Sequence, residues 1–165
     1  MIYKDCFDYL MLLEQGSLAG SPPWGMTQIY FTKWCTRKGI IPVDVMKAPR
    51  EYASEFAYDE YYVPSGSAVL VGDMNFVLFQ MAYNIGNGEA IKILQRVLNI
   101  PDDGIFGPLT KKTANESPIH VTIRKLLLAQ DAYYKEIENP SNTIDEKGWM
   151  NRVSRTAKIV DIILK

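Results

Sequence analysis

The sequence predicts an all-α fold, and three observations carry that expectation. Apolar residues recur at three- and four-residue spacing along nearly the whole chain, and no segment alternates with period two. Glycine and proline fall between the apolar stretches. At 165 residues and 47% hydrophobic, the chain has material for one real core. About seven to nine helices fit the pattern.

Taken in order, Phe7, Leu10, Met11 and position 14 mark one buried face of a first helix. A break at Gly20-Ser21-Pro22-Pro23 follows. Tyr30, Phe31, Trp34 and Cys35 then predict a second helix, stopped by Gly39. Pro49 opens a third, with Tyr52, Phe56 and Ala57 inward and Pro64 and Gly66 at its end. Leu70, Met74, Val77, Leu78, Met81 and Ile85 form the stripe of a longer, more buried helix. Gly86 and Gly88 punctuate it, and Ile91, Leu94, Val97 and Leu98 mark the next, which Pro101 stops. Asp103-Gly104 makes a tight turn because glycine reaches positive φ without steric cost. Gly107-Pro108 opens a short helix near 108–115, and a longer one is expected near 119–137. Asn139-Pro140-Ser141-Asn142 reads as a surface connection, and Trp149, Val153, Ala157, Val160 and Leu164 predict a last helix. There are no internal repeats. A soft boundary near Asn84–Gly88 separates residues 1–86 from 87–165, and the two parts are expected to share one core.

Composition excludes several function classes. With 18 basic and 19 acidic residues the net charge is −1, so no bulk pull toward nucleic acid or anionic membranes is expected. No apolar run approaches the ~20 residues a membrane helix needs, so no membrane insertion is expected. Met1-Ile2-Tyr3-Lys4-Asp5 does not begin a secretory signal, which points to a cytoplasmic product needing help to act elsewhere. Cys6 and Cys35 form no C-x-x-C pair and are expected as reduced core residues. His120 is the only histidine, so a zinc site built on two histidines is impossible. Nothing places a cysteine beside His120 for Cys/His chemistry, and it reads as a helix-start residue after Pro118. Gly86-x-Gly88 lacks the Lys-Ser/Thr of a phosphate loop. Neither a metal nor an organic cofactor is expected.

Glu14 is the residue with the most chemical promise. It continues the apolar stripe of the first helix at that helix's C-terminal end. A carboxyl shielded from water at the negative end of a helix dipole is disfavoured in its charged form. An acid still protonated near neutral pH, beside a polar loop, is what a glycosidase needs as general acid. The plainer alternative is a half-buried glutamate hydrogen-bonded to a loop backbone.

Several stretches resemble known families. Asp103-Gly104-Ile105-Phe106-Gly107-Pro108-Leu109-Thr110 is similar to the D-G-x-x-G-P-x-T signature of bacterial peptidoglycan-binding helical modules. Leu13-Glu14-Gln15-Gly16 with Trp24-Gly25-Met26-Thr27 resembles the N-terminal signature of family 108 glycoside hydrolases, a Glu-Gly-Gly followed by a loop ending Asn-x-Gly-Ile-Thr. Tyr58-Asp59-Glu60-Tyr61-Tyr62 resembles that family's I-Y-x-x-Y-W region, and Phe79–Gly86 its F-D-x-A-V-N-x-G. Leu94-Gln95-Arg96-Val97-Leu98 continues the match, as does Gly148-Trp149-Met150-Asn151-Arg152-Val153 toward a G-W-x-N-R-V motif. The matches run in order along nearly the whole chain.

The resemblance implies a lysozyme-like fold and an N-acetylmuramidase acting on peptidoglycan glycan strands. Glu14 falls on the family's catalytic glutamate and Thr27 on its loop threonine, whose hydroxyl would position water or a sugar group. Thr27 also suits the N-cap of the second helix. Asn84 is a candidate for the sugar N-acetyl groups, or for a turn cap. Trp24, Tyr61, Tyr62 and Tyr83 are candidate faces for sugar rings, though aromatics at helical spacing also build cores. The chain departs from the family at Gln15, Ser17, Ser21, Val63 and Gln80, where Gln80 replaces an aspartate. A second carboxylate is not assigned; Asp59, Glu60 and Asp73 are its candidates. An alternative reading is a catalytically silent peptidoglycan-binding or secretion-associated protein. For the enzyme, release to the wall by a phage holin or a secretion device is expected, in a phage, a prophage or a bacterium.

Overall fold

The structure is a computed structural model that describes residues 1–14, 24–137, 154–159 and 161. It is all-α, with no strand among the described residues. Among the described residues, seven α-helices of eight residues or more are α1 (Tyr3–Glu14), α2 (Gln28–Lys38), α3 (Arg50–Ala57), α4 (Met74–Ile85), α5 (Asn87–Val97), α6 (Pro108–Glu116) and α7 (Ile119–Ile137). A single π-helical turn, Tyr58–Tyr62, extends α3, and residues 154–159 are helical. Trp149, Val153, Val160 and Leu164 of the last predicted helix lie outside the described residues, as do Gln15–Pro23 and the Asn139–Asn142 connection. No helix of the described residues is long and apolar enough to cross a membrane.

The helix ends follow capping chemistry. Gly39 closes α2 at φ +70°, with its N–H on the Thr36 carbonyl and the Ile40 N–H on Cys35. Asn99 does the same for α5 at φ +57°, with the Ile100 N–H reaching back to Gln95. That cap ends α5 at Val97, ahead of Pro101. Pro108 sits in the first turn of α6 as expected.

α4 is the centre of the molecule. Every residue from Met74 to Ala82 is buried, so it is covered all round where a single stripe was expected. It packs against α1, α5, α7 and the π turn. Burying a Phe or Leu side chain contributes roughly 1.5–3 kcal/mol, several times any difference in helix propensity, so packing decides this helix. It begins later than the apolar spacing suggested. Leu70 is buried, but it ends the short 3-10 turn Ser67–Val69 before the chain bends at Gly72. The buried cluster runs from Cys6 and Phe7 on α1 through α4 to Ile123 and Leu126 on α7, and so draws on both sides of Asn84–Gly88.

The Asp103–Thr110 string is organised by one buried side chain, Gln95. Its amide nitrogen lies 2.7 Å from Asp103 Oδ1 and 3.1 Å from both the Ile105 carbonyl and Thr110 Oγ1. Its amide oxygen accepts from the Gly104 N–H at 2.9 Å. The Ile105 backbone N–H, and after it the Gln95 amide, hold the Asp103 carboxyl below the usual carboxylate range. Phe106 then lies over Gly66, where a Cβ would fall 2.2 Å from the ring. Gly66 stands at φ +85°, so glycine is required there twice over.

Gln80 has a comparable structural role. Fully buried on α4, it exchanges amide hydrogen bonds with Gln130 of α7, at 2.8 Å and 3.3 Å, and Gln130 also donates to the Tyr134 hydroxyl. A buried amide left without its partner costs about 1–3 kcal/mol. Gln80→Leu should therefore lower stability by about that amount in urea denaturation, and Gln80→Leu/Gln130→Leu should recover part of the loss. A double variant no more stable than the single one would show that the pair is not the source of the cost.

Candidate functional site

Glu14 ends α1 and is 8% exposed, the only buried acid among the described residues. The residue set against it is Gly25. At φ +72° this position favours glycine, and a Cβ there would fall 2.9 Å from Glu14 Oε2 and 3.3 Å from Tyr83 Cε1. The exposed backbone at Gly25 thus lies close over the carboxyl, and any side chain would crowd it. Sequence reasoning gave Gly25 no role of its own, although it stands inside the Trp24–Thr27 motif.

Two contacts hold that backbone. The Tyr83 hydroxyl, from the last turn of α4, donates to the Trp24 carbonyl at 2.5 Å. The Trp24 indole N–H donates to the Ala48 carbonyl at 2.9 Å. Tyr83 in turn packs against Tyr61, ring centroids 4.9 Å apart. Burial, and then the nearby Glu60 charge and Tyr30 phenol, push the Tyr61 hydroxyl pKa up. Glu14, Trp24, Gly25, Tyr83 and Tyr61 therefore form one connected group.

The other predicted residues are placed differently. Thr27 is the N-cap of α2, yet its side chain makes no capping hydrogen bond, and it is exposed two residues beyond Gly25. Asn84 uses its amide N–H on the Gln80 carbonyl within its own helix, at 2.6 Å. Tyr62 is core: 5% exposed, stacked on Tyr58, edge-on to Phe79, and accepting from Asn75. As a sugar platform Tyr62 is therefore corrected. The wide π turn carries the Val63 N–H back to the Tyr58 carbonyl, one residue beyond α-helical reach, and this rotates Tyr62 inward beside α4.

Of the candidate second carboxylates, Asp59 accepts from the Trp34 indole and Lys38 ammonium of α2, each at 3.0 Å. Glu60 is paired with Arg37. Both are committed to holding α2 against the π turn. Asp73 stands at the N-cap of α4 without a side-chain cap bond. His120 is exposed in the first turn of α7, as expected. A hollow of about 530 Å³ away from Glu14 lies between α5, α6 and α7, lined by Leu98, Leu109, Lys112, Val121 and Lys125.

Fold and site together define an all-helical protein with a shielded glutamate at the end of its first helix, overlain by a glycine. Among solved structures the chain is similar to that of Brucella abortus SagA, with a TM-score of 0.78 over 98% of this chain and 94% of that one. At 20% identity the likeness is one of fold. No protein-family model and no curated protein matches the chain.

Two outcomes follow from the geometry. Gly25→Ala combines a strained φ with a contact on Oε2, and should lower the melting midpoint through about 1–3 kcal/mol of lost stability. An unchanged midpoint would mean the backbone there shifts freely. Burial pushes the Tyr62 hydroxyl up to about 12 from its ordinary 10. Its native state holds the proton longer than the unfolded chain, so its contribution is complete below pH 10 and is lost as pH rises to 12. Tyr62→Phe should flatten the alkaline fall in stability across that window, and an identical pH profile would exclude Tyr62 as its source.

Proposed function

We propose that this chain is a peptidoglycan hydrolase of the family 108 type, an N-acetylmuramidase with Glu14 as general acid. The observation that carries the reading is the shielded Glu14 carboxyl beneath Gly25, beside Tyr83. A carboxyl in such a place is suited to deliver a proton to an oxygen pressed against it. The bond between the anomeric carbon of N-acetylmuramic acid and the bridging oxygen breaks as that oxygen takes the proton of Glu14. Water adds hydroxide to the anomeric carbon, and its remaining proton restores the acid. Tyr83 and Trp24 act as positioning residues through the backbone they hold, and Thr27 stands at the rim. Release to the wall by a holin or a secretion device belongs to the same reading.

Glu14→Gln keeps size and hydrogen bonding but cannot give up a proton. It should retain its melting temperature and lose roughly 100-fold or more of its reducing-end release from purified sacculi. Undiminished release by that variant would remove Glu14 from the role.

A second reading, a silent peptidoglycan-binding or secretion-associated protein, draws on two observations. Asp59 and Glu60 are committed to α2, and Gln80 is locked in an amide pair. The hollow between α5, α6 and α7 offers a place to bind without Glu14. Pelleting with sacculi while releasing no reducing ends would favour it.

A further inference from the structure

Tyr30 was expected to face inward with Phe31, Trp34 and Cys35. It is instead 61% exposed. Phe31, Trp34 and Cys35 alone satisfy the three-four spacing of a buried stripe, and Tyr30, one residue earlier, is turned about 100° away from it. It nevertheless is not isolated. Its helix lies beside Tyr61: Arg37, two turns further along the same face as Tyr30, pairs with Glu60, and Phe31 meets Phe56, which meets Tyr61, with ring centroids 6.3 Å and 5.9 Å apart. Tyr61 packs on Tyr83, and Tyr83 borders Gly25 and Glu14. At the outer end the Lys33 ammonium stands 5.8 Å from the Tyr30 ring centre. Among the described residues Lys33 has no ion-pair partner, whereas Arg37 and Lys38 on the same helix are both paired.

We propose that Tyr83, Tyr61 and Tyr30 form a row of ring platforms for successive sugars of a glycan leading away from Glu14, with Lys33 meeting a carboxylate carried by that glycan. The proposal rests on the glycosidase reading of Glu14 for its direction, and names the substrate class that reading needs. A pyranose presents a C–H-rich face that packs on a flat aromatic side chain, while its hydroxyls stay in water. An exposed phenol and an unpaired ammonium side by side suit a saccharide bearing an anionic substituent better than a neutral one. Of the three rings on this path, Tyr30 alone is exposed.

Binding is measured in the Glu14→Gln background, where ligands survive. The probes are an N-acetylglucosamine disaccharide, its tetramer, and a muramic-acid-containing tetrasaccharide with lactyl carboxylates. Tyr30→Ala should weaken both tetrasaccharides roughly tenfold and leave the disaccharide unchanged. Lys33→Ala should weaken only the carboxylated tetrasaccharide, by roughly two- to fivefold, with the difference vanishing in 1 M salt. Both positions are exposed, and circular dichroism checks that helicity is kept. Tetrasaccharide affinities left unchanged by Tyr30→Ala would overturn the row, and equal losses from Lys33→Ala on charged and neutral tetramers would overturn the charge contact. Should Glu14→Gln still cleave sacculi while Tyr30→Ala loses long ligands, the catalytic reading fails and the platform stands.

Discussion

A helix buried on every side has no solvent face, and that constraint organises this molecule. Met74–Ala82 must be covered all round, so α1, the π turn, α5 and α7 are drawn to it from both ends of the chain. The site inherits its position from this. α1 delivers Glu14 at its end, and the last turn of α4 delivers Tyr83 to the same place. The carboxyl is shielded where the end of α1 meets Tyr83 from the central helix and the backbone of Gly25.

Polar groups inside such a core have to be answered individually, and here glutamine does much of that. Gln95 ties a turn, and Gln80 and Gln130 join two helices. An amide offers donor and acceptor together without a charge to desolvate, so it closes a buried gap that a carboxylate would close only at greater cost. The Asp103–Thr110 string shows the consequence. Its Asp, first Gly and Thr all converge on Gln95, so much of that signature is accounted for by the fold it stabilises.

Much of this was legible in the sequence. α6 and α7 were placed closely because Pro108 and Pro118 mark their starts, and Gly39 marked the end of α2. Glu14 was found because its spacing put a carboxyl on an apolar stripe. What escaped was whatever depends on a partner far along the chain. Tyr30 looked apolar enough to bury, but the stripe was already complete without it. Tyr62 was turned inward by a π turn that periodicity cannot register, and Gln80 looked like a lost acid until Gln130, fifty residues on, explained it. Gly25 carried no sign in its own neighbourhood that a carboxylate lay against it.

The bond from the Tyr83 hydroxyl to the Trp24 carbonyl joins residues fifty-nine apart. The carboxyl and the glycine over it lie close together in the sequence, yet the lock that sets one upon the other arrives only with residue 83. A nascent chain leaving the ribosome carries every atom of the shielded acid long before it carries the arrangement. The site is thus timed by synthesis itself: it is complete when the central helix docks and brings Tyr83 to Trp24.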